Sequence, residues 1–311
     1  LNIDLEKEKE KLENQKNAIQ RFVPEEFLDL LDKDSITKIS PEDHRLLDMS
    51  IGFYCIPALS RILREVSELE VINFFNDYFK RSIPIVYKNH GFLDKLMGDT
   101  VLVLFPKIQE AAGLSSADNA LKSCIGILEL IVKINKYRKR KNLEPVNCVM
   151  GLNTGPLILG AVGSRERIST TAIGNTVNIA ARLTSLTSYY DNNIIISDFT
   201  YKKLKEVGKY SIREIDSIFV KGKNDPVVIY EVFDSDPENI KQMKNLTKAD
   251  LMLGLIHYKM RNFTDAINFF KSASALFPDD PVTNIYITRC ENYIKNPPPE
   301  DWKGAVRLLR K

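Results

Sequence analysis

The stretch GFLDKLMGDTVLVLF, Gly91 to Phe105, decides the fold. It reads as two apolar runs split by Gly98-Asp99, the residue types that a tight hairpin turn requires for its backbone geometry. One strand carries Asp94 and Lys95 into the turn, and a second, Thr100 to Phe105, leaves it. Leu69 to Asn89 before this hairpin and Leu114 to Arg140 after it have the apolar spacing of long helices. Further out, Leu46 to Ile56 and Val146 to Leu152 read as strands. Leu157 to Val162, Ile168 to Ile173 and Ile194 to Ile196 are further short strands, with a helix over Thr176 to Leu186. Strand, helix, two strands, helix, strand is the order of a ferredoxin-like βαββαβ unit, an antiparallel sheet with helices on one face. The predicted class is α+β. That fold hosts many functions, so function has to come from particular side chains.

Composition narrows the choices. The chain has 311 residues, 44% apolar and 27% charged, which is ordinary for a globular protein of about two domains. No run of about 18 apolar residues exists, so no membrane span is predicted. Forty-four Lys and Arg against forty-one Asp and Glu leave +3, too balanced for a dedicated nucleic-acid binder. The basic run Lys133 to Asn142 closes a helix, where cations favour the helix dipole. Cys55, Cys124, Cys148 and Cys290 are far apart and lack metal-site spacing; Cys124, Cys148 and Cys290 read as small buried residues. That pattern fits a reducing, cytoplasmic setting, with a parent chain that is membrane-anchored or not. His44, His90 and His257 lie near no motif. The start at Leu1 and the lack of a signal peptide read as a segment of a longer parent with an upstream sensor module.

Two flanking regions differ from the centre. Residues 1–21 are mostly charged, with Leu5, Leu12 and Ile19 seven apart, as in a coiled-coil seam or a solvated helix. Residues 245–311 contain Leu251, Gly254, Tyr258, Phe263, Ala266, Phe270, Ala273 and Pro278, the pattern of one tetratricopeptide repeat. A single repeat rarely stands alone, so this tail is expected to cap the main domain of residues 22–235, with Trp302 anchoring it.

Chemistry concentrates in two segments. The first is the hairpin with Asp94, Lys95 and Asp99. The second is RERISTTAIGNTVNIAARL, Arg165 to Leu183, where a strand ends at Ile173-Gly174 and a helix opens. Asn178 and Arg182 are four apart on that helix and share one face. Two such polar groups on an otherwise apolar helix suit an anionic, polar ligand.

Together these segments resemble the class III nucleotidyl cyclases, the adenylate and guanylate cyclase family. The resemblance runs from FVPEEFLDLL (Phe22 to Leu31) through NFFNDYFKRSIPIV (Asn73 to Val86), DKLMGD, GLNTGPLILGAVGS (Gly151 to Ser164) and the GNTVNIAARL helix to VKGKNDPVVIYEVF (Val220 to Phe233). The tail ending in PPPEDWKG also looks like tails that follow bacterial members. The resemblance implies a phosphorus–oxygen lyase: the ribose 3′-OH attacks the α-phosphate of ATP, giving cyclic AMP and pyrophosphate in signal transduction. It also implies a head-to-tail dimer, homodimer or heterodimer with another cyclase chain, with composite sites and two Mg²⁺ or Mn²⁺ ions. By the same resemblance, Lys95 and Thr171 select adenine, Asn178 orients the ribose and Arg182 steadies charge on the α-phosphate. Lys221, with Lys223 as a weaker candidate, contacts the outer phosphates, and Asp99 is a metal ligand. The loop at Gly163, Ser164, Arg165 and Arg167 is a weaker phosphate neighbour.

One position departs from the pattern. The family's first strand ends in Phe-x-Asp-Ile, with the Asp and the Ile carbonyl on metal; here it reads Phe53-Tyr54-Cys55-Ile56. Cys55 stands where the first metal Asp belongs, Ile56 keeps the carbonyl position, and a thiol is a poor ligand for hard Mg²⁺. Using Asp48 instead would place the carboxylate at the start of the strand. The chain therefore reads as an adenylate cyclase with a damaged metal half. The alternative is a weak or inactive pseudo-cyclase that binds nucleotide and completes or regulates a heterodimer.

Overall fold

The computed structural model describes residues 2–20, 22–57, 67–107, 113–164, 166–220 and 225–307. The helix α1 spans Asn2–Gln20 and α2 spans Glu25–Leu30. The strand β1, His44–Cys55, leads to α3, Glu68–Lys88, and then to the hairpin of β2, Phe92–Met97, and β3, Thr100–Phe105. Next come α4, Ser116–Arg140, the long β4, Val149–Gly163, and β5, Ile168–Ile173. They are followed by α5, Asn175–Tyr190, β6, Ile194–Ser197, and the single turn α6, Asp198–Tyr201. After β7, Ile212–Ile218, and β8, Val227–Val232, the chain ends in α7, Glu238–Lys259, α8, Phe263–Leu276, and α9, Pro281–Lys295.

The sheet runs β2-β3-β1-β4-β6-β8-β7, with β5 paired to β4 off this path. Its first four strands are the predicted ferredoxin-like unit, mutually antiparallel. The class is α+β as expected, and two features go beyond that unit. The sheet is mixed, because β6 pairs parallel to β4 after the α5 crossover. Helices also cover both faces. The run TVLVLF shows why: Val101, Val103 and Phe105 pack under α3 and α4 with Tyr54 and Ile127. The alternate residues Leu102 and Leu104 pack on the other side with Ile51, Phe53 and Phe27 of α2. A strand buried on both faces carries apolar residues continuously, not alternately.

The helix α5 lies tight on β4. A Cβ at Gly151 would collide with the Thr184 amide and the Ala180 carbonyl, so a glycine is needed for this approach. The Thr184 hydroxyl donates to the Phe53 carbonyl at 3.1 Å, tying α5 to the end of β1. The two short strands expected at 146–152 and 157–162 are one strand, because Pro156 is accommodated. Pro156 faces Asp48 of β1 in the ladder, while on the other edge β6 pairs only as far as Leu152 and β5 begins at Ile158. In that gap a missing N–H loses no ladder bond.

The tail shares a core with the sheet. Leu251, Tyr258, Phe270 and Tyr286 pack with Ile215 and Ile229 and with Leu183 and Tyr190 of α5. Its first helix begins at Glu238, ahead of Asn245. Trp302 packs on Tyr258, Phe263 and Tyr293 of the tail, at the edge of this shared core, and its indole N–H donates to the Ala305 carbonyl at 3.0 Å. Buried ion pairs add to this attachment. Arg213 of β7 is bonded to Glu231 and forks onto both carboxylate oxygens of Asp280, at 2.8 and 2.7 Å. In α1, Leu12 and Ile19 are exposed, and the side chain of Leu5 lies outside the described residues. Among the described residues no helix is long and apolar enough to cross a membrane.

Candidate active site

Three groups of predicted residues form on this scaffold. The first is at the end of β1. Cys55 pairs with Thr100 in β3 and with Val149 in β4, and the Ile56 amide donates to the Asp99 carbonyl at 3.0 Å. The Thr100 hydroxyl donates to Asp99 Oδ1 at 2.9 Å. Gly98 takes φ +65°, a conformation that glycine alone adopts freely, and so turns the hairpin back within reach of β1. Cys55, Ile56 and Asp99 are thus neighbours, as the sequence implied. Cys55 lines a groove of about 490 Å³ with Phe53, Met97, Thr100, Ala181 and Ser185.

Burial pushes the Cys55 thiol pKa up, and the adjacent Asp99 charge pushes it the same way, while a hydrogen bond from Thr100 opposes them. The thiol is therefore neutral at pH 7. One carboxylate, one carbonyl and a neutral thiol do not fit a pair of hard divalent ions, which prefer charged oxygen ligands. Among the described residues no cluster of three or more His, Cys, Asp and Glu side chains replaces the missing one.

The second group is where the hairpin meets β5. The β2–β3 register slips between Leu93 and Lys95, so Asp94 is the extra residue of a β-bulge. Bulges re-aim side chains. Here Lys95 reaches across to β5 and donates to Thr171 Oγ1 at 2.8 Å and to Asp94 Oδ2 at 3.2 Å. The Asp94 side chain is 1% exposed and that of Lys95 30%. Burial raises the Asp94 pKa, against the opposing pull of Lys95 and of the Ala172 amide. Asp94 was not assigned a role from the sequence. The signal was two adjacent charges, Asp94-Lys95, which a strand with strict alternation would send to opposite faces.

The third group lies on α5. Its first turn is fixed to β4: the Thr176 hydroxyl donates to the Pro156 carbonyl at 2.6 Å, and the Asn153 amide donates to the Thr176 carbonyl at 2.9 Å. Asn178 is exposed and Arg182 half-buried. Neither they nor Lys95 and Thr171 line the Cys55 groove. The structure therefore joins Cys55, Ile56 and Asp99 at the end of β1, and joins Lys95 to Thr171 across the hairpin. Lys221, Lys223 and Arg165 lie outside the described residues.

Residues 42–233 match the adenylate and guanylate cyclase catalytic domain. The chain belongs to that family, and its central domain is a nucleotidyl cyclase domain. It is 30% identical over 288 residues, 92% of its length, to the terminal-differentiation-specific adenylate cyclase of Dictyostelium discoideum. It is also 30% identical over 227 residues to an adenylate cyclase of Anabaena cylindrica. The chain spans 13% and 44% of those two relatives. Among solved structures, the adenylyl cyclase CyaB from P. aeruginosa superposes with a TM-score of 0.55 at 27% identity, covering 62% of this chain and 96% of that one.

Proposed function

We propose that this chain is the recognition half of an adenylate cyclase and works best beside a cyclase chain with an intact metal half. The observation that carries this reading is the Lys95–Thr171 hydrogen bond, which presents an ammonium donor and a hydroxyl together at the position where the family resemblance puts the base. Adenine offers a ring acceptor to such a donor, whereas guanine offers a donor, and the mismatch leaves buried polar groups unpaired.

In the proposed reaction the ribose 3′-oxygen forms a bond to the α-phosphorus and loses its proton. The bond from that phosphorus to the β-phosphate bridging oxygen breaks, and pyrophosphate leaves. Asn178 orients the ribose, Arg182 counters charge building on the α-phosphate, and Lys221 holds the outer phosphates. The composite sites that the family resemblance implies support a site completed by a second chain, homologous or identical. Mg²⁺ or Mn²⁺ would enter through the partner's carboxylates, since those of this chain do not suit a pair of ions. The second reading, a nucleotide-binding pseudo-cyclase, is favoured by Cys55 itself.

The test is cyclic nucleotide production by the purified chain with ATP and with GTP, under Mg²⁺ and under Mn²⁺. The proposal expects ATP to be used over GTP, weakly, with Mn²⁺ above Mg²⁺. Cys55→Asp should raise the rate by about two orders of magnitude, more with Mg²⁺, while Cys55→Ser should not. Brisk Mg²⁺-dependent turnover by the unaltered chain, or an equal response to both substitutions, would sink this account.

A further inference from the structure

We infer that Asp94 is a specificity-determining positioning residue: its buried carboxylate holds the Lys95 ammonium beside Thr171, so that base choice rests on three side chains and not two. This deepens the adenine reading above and rests on it.

The contacts set the geometry. An ammonium has three N–H donors and no acceptor. Asp94 Oδ2 and Thr171 Oγ1 take two of them, at 3.2 and 2.8 Å, leaving one for a ring acceptor. A lysine on four flexible carbons would otherwise sample many positions, and ordering it at the moment of binding costs affinity. Asp94 does that ordering in advance, from a bulge with no room to move: its side chain is 1% exposed. Its other oxygen, Oδ1, is buried and makes no direct hydrogen bond among the described residues, although the Ala172 amide pulls on the carboxylate. A buried carboxylate oxygen left so is unfavourable for folding. Among the described residues the cation paired with Asp94 is Lys95.

A consequence concerns conversion of base preference. Replacing Lys95 by Glu, to offer guanine an acceptor, would set two carboxylates side by side in a partly buried bulge. Like charges so placed do not both ionise readily. The exchange should succeed only when Asp94 is neutralised as well.

Calorimetric titration of the full chain with non-cyclisable analogues of ATP and GTP tests this without needing turnover. Asp94→Asn should lower the ATP-over-GTP affinity ratio about tenfold, the scale of one hydrogen bond to a charged group, without lowering the thermal midpoint. On a Lys95→Ala background the same change should do nothing further to the ratio. Lys95→Glu should lose ATP affinity and gain none for GTP, and Asp94→Asn/Lys95→Glu should gain it. If Asp94→Asn leaves the ratio unchanged while Lys95→Ala lowers it, Asp94 has no such role and the adenine reading stands. If Lys95→Ala also leaves it unchanged, the adenine reading itself falls and takes Asp94 with it. Should Asp94→Asn fail to fold, Lys95→Glu decides alone: GTP affinity gained with Asp94 in place overturns the inference, and ATP affinity lost without that gain supports it.

Discussion

Asp94 and Asp216 are both buried aspartates on strands of one sheet, and they are treated in opposite ways. Asp216 in β7 is fully enclosed and satisfied on both oxygens. Tyr190 at the end of α5 donates at 2.5 Å, Tyr286 of α9 at 2.8 Å and Arg289 of α9 at 2.6 Å. Among the described residues Asp94 is paired with the cation of Lys95, and its Oδ1 makes no direct hydrogen bond, with only the Ala172 amide pulling on the carboxylate. A complete network fixes one packing of tail, sheet and helix, whereas a half-satisfied one marks a group kept for something other than stability. The tail end of the molecule is built to stay folded. The hairpin corner carries the side chains to which the proposed function assigns binding.

Four measurements press on that contrast. The largest effect belongs to Asp216→Ala, which strands Arg289 and two tyrosine hydroxyls in the core. A loss of about 3–5 kcal/mol is expected, read in urea as a lower midpoint with an unchanged slope. A loss below about 1 kcal/mol would mean that the network is ornamental. Tyr286→Phe removes one donor and leaves the others, so about 1 kcal/mol should go by the same assay. Asp94→Asn should act in the other direction, raising stability at pH 7 by about 0.5–1 kcal/mol, as functional sites commonly do when neutralised. A clear loss instead would make Asp94 structural.

The smallest effect is in pH dependence. Burial leaves the folded Asp94 pKa above its ordinary value. Between the ordinary and the raised value the native chain binds more protons than the unfolded one, so this group's contribution to stability falls as pH rises through that window. The advantage of Asp94→Asn should therefore shrink as pH falls from 7 toward 4. Asp280 behaves oppositely. Burial alone would raise it, but the Arg213 fork and the Thr283 hydroxyl hold it below the usual carboxylate range. Its contribution is present above about pH 4 and is lost as pH falls through the lowered value, so the deficit of Asp280→Asn should persist to pH 4 and fade only below. Parallel behaviour of the two variants would erase the contrast.

What the sequence made legible follows the range of the interactions. The hairpin was readable because Gly98-Asp99 and the run after it act within a few residues, and the strands Thr100–Phe105 and Ile168–Ile173 have the predicted ends. The join of β4 across Pro156 was hidden because it depends on where two other strands stop. In IREIDSI nothing local shows whether Arg213 and Asp216 face solvent or the core. Both are buried, because Asp280 and Arg289 arrive from the tail far along the chain to meet them. Within the candidate site, the Asn178 and Arg182 face followed from helical spacing, and the Lys95–Thr171 contact came only with the curl of the sheet. The bulge at Asp94 was missed because a slip in register is a property of two strands, and one strand's residues do not display it.

The two outer strands of the sheet path are β2 and β7, and an outer strand offers unpaired amides and carbonyls to any passing chain. On β7 the offer is taken up: Val306 lies alongside Ile218, donating to the Ser217 carbonyl at 3.0 Å while its own carbonyl accepts from the Phe219 amide at 3.1 Å. On β2 the bulge at Asp94 breaks the even spacing that a foreign strand would need. The same irregularity that aims Lys95 therefore also guards the sheet against edge-to-edge growth. Straightening it, by deleting one residue of the pair Asp94-Lys95, should produce a protein more prone to aggregate and, on the proposed reading, a poorer binder of ATP.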